Sequence, residues 1–384
     1  MIGSYFPRFY IVNSANLDLP SIIIGRMGET KGSTATGYDR KTIIRSAGEA
    51  LERQVGFSQL PMSGICRKLN QLEYPLQQWF KTLFGRQNKP GTDEHEFSCV
   101  EAFRLNDNKK FIVPSIPFTL SPHQDNHFMP HRDSSGCAIH SNSDLALESA
   151  VAELIERQGL TLFWYFGHLN HSVDLSEGFL KKEEYYEILP LLNWYRSNVR
   201  AKIYLFDISV LLPYRSILAI YVDESGPIHF AAGGAASKNV TQAVKKALIE
   251  LYQAYTLTYQ NVITKKTELD ISETQDNLTK GYLQFNNTKN ATYFINLAIE
   301  NNVTLNTFYS PPENVKNINA VDVFVHKQEV SFGKYLDSLT YISTFCIPGF
   351  PCMTIEGSAS RTELEAAIFF GYNTQINFGP VPFA

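Results

Sequence analysis

Three stretches of the chain place a glycine seventeen residues ahead of a glutamate: Gly32 before Glu49, Gly136 before Glu153, and Gly233 before Glu250. They read KGSTATGYDRKTIIRSAGEALERQ (31–54), SSGCAIHSNSDLALESAVAELIERQ (134–158) and GGAASKNVTQAVKKALIELYQAY (233–255), and they align without a gap. The first two close on the same Glu-x-x-Glu-Arg-Gln, whereas the third has Gln253 where the second glutamate would stand. Repetition of one supersecondary unit restricts a fold strongly, because each copy must find an equivalent environment.

The content of the unit follows from pattern. Alternating or β-branched runs precede the glycines, as in SILAIYVDESGPIHFAAGG (216–234), which predicts a hairpin entering a tight turn. About four turns of helix follow, starting near Asp39, Ser143 and Asn239, residue types suited to N-caps. The expected unit is strand, glycine turn, helix, used three times. KKFIVPSIPF (109–118) and AKIYLFDISVL (201–211) supply further strands, so the predicted class is α+β, with sheets packed on these helices. One domain over 1–384 is expected, with peripheral insertions at about 61–95 and 265–317. The first contains the helical LEYPLQQWFKTLFG, and ASRTELEAAIFFGY (359–372) predicts a short helix near the end.

The second helix is apolar almost all round, through Ala146, Leu147, Ala150, Val151, Ala152, Leu154 and Ile155. Glu153 and Glu156 nevertheless share one of its faces. Two like charges in such surroundings need something to neutralise them. A single Glu-x-x-Glu-Arg is ordinarily a solvated helix face, since Glu49 with Arg53 and Glu153 with Arg157 are ordinary i,i+4 ion pairs. Surface pairs do not require a glycine at one offset three times, however. If the repeated helices converge, Glu49, Glu52, Glu153, Glu156 and Glu250 meet, and carboxylates alone favour hard divalent ions such as Mg2+. A polyphosphate would complete the charge balance, with Arg53, Arg157 and Lys246 placed for its oxygens. A di-iron site would need Glu-x-x-His, which is absent, and no GxxxxGK[ST] loop occurs.

A net charge of -4 provides no electrostatic reason to expect nucleic acid or an anionic membrane as partner. The N-terminal MIGSYFPRFYIVNSANLDL has no basic segment followed by an apolar run, so the expected location is cytoplasmic. Five scattered cysteines (Cys66, Cys99, Cys137, Cys346, Cys352) make no disulfide framework and no CxxC metal motif. Cys137 reads as a small buried thiol rather than a nucleophile. His123, His127, His131 and His140 crowd one segment at spacings that fit no standard zinc pattern; a polar loop is the simplest reading.

The paired motifs IIRSAGEALERQ and SSGCAIHSNSDLALESAVAELIERQGLTLFW resemble those of the YcaO superfamily, over most of the chain from about Lys31 onward. The resemblance implies a YcaO-like fold whose repeated units surround an ATP and Mg2+ site. Carried over by position, the nucleotide and metal ligands are Glu49, Glu52, Glu153, Glu156 and Glu250, with Arg157 and Lys246 added on the nucleotide side. This chain departs from the pattern at Arg45, where serine is usual, at Lys246, where arginine is usual, and at Leu145, where an acid is common. The implied activity is ATP-dependent cyclodehydration of Cys, Ser or Thr in a ribosomal precursor peptide to azolines. Thioamide or amidine formation, and a non-catalytic nucleotide-binding scaffold in a synthetase complex, are the alternatives. The ending NFGPVPFA is read as a degenerate PxPxP, which would put the Ala384 carboxylate near proton transfer. Implied partners are the precursor peptide, a leader-binding protein, a flavin-dependent azoline oxidase and a second copy of the chain.

Overall fold

The long apolar runs pair as antiparallel strands, which need only short turns between neighbours. The computed structural model describes residues 8–12, 18–27, 31–57, 64–84, 91–120, 125–128, 133–175, 183–197, 200–264, 285–331, 338–349, 351, 359–377 and 381. Strands β1 (Arg8–Val12), β2 (Ser21–Met27) and β3 (Lys31–Gly37) form one sheet and lead into helix α1 (Lys41–Gly56). Then come β4 (Cys66–Arg67), α2 (Tyr74–Phe84), β5 (Phe97–Arg104), β6 (Lys110–Pro114) and β7 (Cys137–His140). Helix α3 (Ser143–Phe166) is followed by β8 (His171–Asp174), α4 (Leu189–Ser197) and β9 (Lys202–Asp207). The short β10 (Leu211–Leu212) precedes β11 (Arg215–Val222), β12 (Phe230–Ser237) and α5 (Val240–Thr264). The last elements are α6 (Thr288–Glu300), α7 (Leu305–Tyr309), β13 (Lys316–Asn317), β14 (Asp322–Val330), β15 (Leu339–Ile347) and α8 (Arg361–Phe370).

A four-stranded sheet has the order β12-β11-β9-β8, and a six-stranded sheet the order β4-β5-β14-β15-β7 with β6 beside β5. Helix α3 lies between them. It packs on β15 and β7 on one side and on β12 and β11 on the other, which is why its sequence is apolar nearly all round. Helix α5 covers the opposite face of β11 and β12, so every residue of RSILAIYV in β11 is buried. The mixed helix and sheet architecture is the α+β class expected. None of the described helices is long and apolar enough to cross a membrane.

The three repeats are strand–helix units: β3 with α1, β7 with α3, and β12 with α5. Their glycines are placed differently from the expected turn between strand and helix. Gly136 immediately precedes β7, with φ +75°, where a Cβ would lie 2.5 Å from Thr344 Oγ1. Gly233 lies inside β12, where a Cβ would stand 2.1 Å from the Leu251 nitrogen and 2.6 Å from the Ala247 oxygen. Close approach of strand backbone to helix backbone, not chain reversal, is what demands glycine there. The N-caps shift as well. Asn142, not Ser143, caps α3 by accepting from the Asp144 and Leu145 amides, a cap worth about 1 kcal/mol. Arg40 occupies that position before α1 without a side-chain cap, and Asn239 does cap α5 through the Gln242 amide.

The units close into a ring. Helix α1 packs on its own β3 and touches β7; α3 packs on β7 and touches β12; α5 packs on β12 and touches β3. Small residues at four-residue spacing, Thr42, Ser46 and Ala50, let α1 approach its strands. Helix α2, from the 61–95 stretch, places Trp79, Phe80 and Phe84 in a buried aromatic core with Phe97, Phe324 and Phe345. In the described part of 265–317, Phe294 of α6 and Phe308 of α7 are fully buried.

Candidate functional site

The ring brings the Glu-x-x-Glu faces of α1 and α3 and the corresponding face of α5 to one cleft. Glu156 is only 9% exposed, Glu49, Glu52, Glu153 and Arg157 are half-buried, and Lys246 and Glu250 are open to water. Backbone from the strands reaches the carboxylates directly: the Thr34 amide donates to Glu49 at 2.9 Å, and the Ala236 amide donates to Glu156. Arg53 Nη2 lies 2.6 Å from Glu49 Oε1. Arg157 stands between two glutamates, 3.5 Å from Glu153 and 3.8 Å from Glu156.

The electrostatics show how crowded these acids are. Burial raises Glu52 well above the ordinary carboxylate range, and the charges of Glu153 and Glu49 raise it further. Glu250, though exposed on the open side of the cleft, is surrounded by enough protein that desolvation raises it as well, with Glu156 and Glu153 adding to it. Glu153 is pushed up to about 7, chiefly by burial; Arg157 pulls it back, while Glu156, Asp133 and Glu49 push it up. Glu49 and Glu156 are raised by burial too, against the opposing pull of Arg53 on the first and Arg157 on the second. Burial lowers Arg157, but Glu156, Glu153, Asp133 and Glu250 more than offset this, and the guanidinium is held firmly charged. Carboxylates from α1, α3 and α5 therefore sense one another across the cleft.

Among the described residues six acids, the five glutamates and Asp133, face three cationic side chains, Arg53, Arg157 and Lys246, which leaves an excess of acid. A hard divalent cation suits that oxygen-only donor set. Among the described residues no three His, Cys, Asp or Glu side chains converge on a single ion position. Magnesium does not require it, being held by one or two carboxylates with water and substrate phosphate completing the octahedron. The residues present fit Mg2+ with a polyphosphate.

Other expected residues fall elsewhere. Ala384, Pro380, His123 and His131 lie outside the described residues. His140 Nδ1 accepts from the Asn142 amide at 2.8 Å, and the His127 ring lies near His95, whose Nε2 is 2.6 Å from Asp125 Oδ1. Cys137 is buried, its thiol pushed up by burial and then by Glu52, and it is hydrogen-bonded to Tyr341 and Ser343, which leaves no nucleophile there. Two residues of the site were not anticipated. Asp133 acts on Glu153 and Arg157, and its one sequence signal was an acid three residues before the repeat glycine. Gln253, which breaks the glutamate pattern, accepts a hydrogen bond from Thr36 Oγ1 at 2.7 Å.

Residues 40–321 match the family described as YcaO cyclodehydratase, ATP- and Mg2+-binding. Over 248 residues the chain is 27% identical to the microcin B17-processing protein McbD of Escherichia coli, covering 62% of this chain and 61% of that protein. The matched segment thus spans less than two thirds of that curated relative. The fold is similar to a chain of the E. coli microcin synthetase McbBCD complex with pro-MccB17 bound, with a TM-score of 0.77 and 22% identity. That likeness covers 100% of this chain and 98% of the other. A heterocyclase in complex with substrate and cofactor is similar at TM-score 0.69 and 14% identity, covering 96% of this chain and 53% of that one.

Proposed function

The chain belongs to the YcaO family, and from that membership we propose that it is the ATP- and Mg2+-dependent cyclodehydratase subunit of a peptide-modifying synthetase. Its substrate would be a ribosomally made precursor peptide, in which Cys, Ser or Thr residues become azolines. The observation that carries the reading is the crowding of five glutamates from three repeats around too few cations, in a family whose description names ATP and Mg2+.

The chemistry follows from a poor leaving group. A Cys, Ser or Thr side chain of the peptide adds to the preceding amide carbonyl and loses its proton, leaving the former carbonyl oxygen on a tetrahedral carbon. That oxygen departs readily only as phosphate; the amide N–H proton is then lost and the ring C=N bond forms. ATP, a consumed substrate here, supplies the phosphoryl group, and Mg2+ offsets its charge. Glu49, Glu52, Glu153, Glu156 and Glu250 would hold the metal, while Arg157 and Lys246 would meet phosphate oxygens. Lys246 would do so as a point charge rather than a bidentate fork. Arg157, kept charged by four acids, is suited to steadying transferred negative charge.

The similar chain in a synthetase complex with its precursor bound supports a partnered subunit; in that reading a leader-binding protein would present the peptide and an azoline oxidase would act afterwards. The test is phosphate release, with loss of one water mass per ring, from the chain mixed with its precursor and partner. Glu156→Gln is expected to lower turnover by about 10²–10³-fold with the fold retained. Unchanged turnover in that variant would overturn the site assignment. Phosphate release with an oxygen of the peptide replaced by sulfur would point instead to thioamide formation, and loss of water with every Cys, Ser and Thr side chain left free would point to amidine formation.

A further inference from the structure

The second glutamate of each motif has a counterpart in all three helices: Glu52, Glu156 and Gln253, each three residues after Glu49, Glu153 and Glu250. In the folded chain each of these helices meets the strand of the next unit. Glu52 acts electrostatically on the Cys137 thiol of β7. Glu156 takes the Ala236 amide of β12. Gln253 accepts from Thr36 of β3, a bond that joins residues 217 positions apart and closes the ring at its third joint. The first two helices carry a carboxylic acid at this position and the third a neutral amide. Thr36 is 6% exposed, so its hydroxyl has little access to water in place of Gln253. Two residues back on the same strand, the Thr34 amide holds Glu49.

We propose that the Thr36–Gln253 hydrogen bond is the closing joint of the ring, and that these two positioning residues set where β3 presents Glu49 to the Mg2+–nucleotide site. The inference rests on the reading of that site given above. Glutamine supplies the acceptor that Thr36 needs without adding a further acid to a cleft where acids already outnumber the described cations. A glutamate at 253 would keep the joint, because a hydroxyl donates equally well to a carboxylate, but it would raise the site's demand for divalent cation.

The experiment titrates the full chain with Mg2+ and a non-hydrolysable ATP analogue by calorimetry, with melting temperature recorded beside it. Thr36→Val and Gln253→Leu are each expected to weaken binding about tenfold, the scale of one lost hydrogen bond in a half-buried setting. Thr36→Ser, which keeps the donor, binds like the parent. Gln253→Glu matches the parent at saturating Mg2+ and needs more Mg2+ to do so. In a Glu49→Gln background Thr36→Val adds no further loss, as required if it acts through Glu49. If Glu156→Gln loses binding while Thr36→Val and Gln253→Leu bind as the parent, the joint has no role and the site reading stands. Losses that simply add to that of Glu49→Gln, or a lowered melting temperature with unchanged affinity, also overturn the proposal. Parent-like binding by Glu156→Gln removes the site reading itself.

Discussion

Asp207 and Arg215 bury opposite charges in the four-stranded sheet, at 0% and 5% side-chain exposure, while the glutamates of the ring share a cleft with cations too few to match them. The sheet pair completes itself. Asp207 Oδ1 accepts from the Ser209 amide at 2.9 Å and from its hydroxyl, and Oδ2 takes the Arg215 guanidinium. Arg215 also donates to the carbonyls of Phe308 at 2.9 Å and Ser310 at 3.1 Å, tying α7 to the sheet. Both Asp207 oxygens and all three Arg215 nitrogens have partners within the protein, so the pair needs no ligand to complete it. The ring is the reverse: its acids raise one another, and they are neutralised either by bound protons or by a cation that displaces those protons. Buried charge that is satisfied internally holds a fold together, whereas buried charge left in excess marks a place for a cation.

Breaking the sheet pair gives the largest effect. Arg215→Ala strands the Asp207 carboxylate and is expected to remove about 3–5 kcal/mol from the free energy of unfolding in urea. Mg2+ and nucleotide should stabilise that variant as much as they stabilise the parent, since the ring is untouched. The opposite pattern is expected of Glu52→Gln. Removing one crowded acid leaves the chain without ligand at least as stable as the parent. The stabilisation from Mg2+ and nucleotide, about 2.7 kcal/mol at a hundred times Kd in the parent, is largely lost. Differential scanning with and without ligand separates the two behaviours.

The smallest effect is the pH dependence of Glu153. Its folded pKa, near 7, lies above the ordinary value of 4.5, so the neutral form is the one favoured by folding. The contribution is complete below the unfolded pKa and disappears as pH rises through 7. Melting temperature without Mg2+ should therefore fall between pH 5 and pH 8 by an amount on the order of 1–3 °C attributable to this group. Glu153→Gln should flatten that slope. A slope left unchanged by the substitution would assign the pH dependence to other acids of the ring.

Much of this molecule was readable in one dimension, for a local reason. A helix that buries its whole circumference has to be apolar over consecutive turns, and a repeated unit has to repeat its spacing. The α3 pattern, the three helices, and the list of glutamates thus follow from residues within about two dozen positions of one another. The cap at Asn142, one residue from the expected Ser143, shows the usual margin at a helix end.

Contacts between distant residues are another matter, because periodicity records which face is buried and not what covers it. The role of Gly233 looked like a turn in the sequence; only the folded chain shows α5 backbone pressed onto β12 at that point. Asp133 reaches Glu153 and Arg157 from a loop whose course no spacing specifies. Gln253 looked like a lapse in the motif until its partner Thr36 came into view from the other end of the chain. The amino-acid sequence determined which acids would need neutralising; the closing of three units into a ring decided that they would need it together.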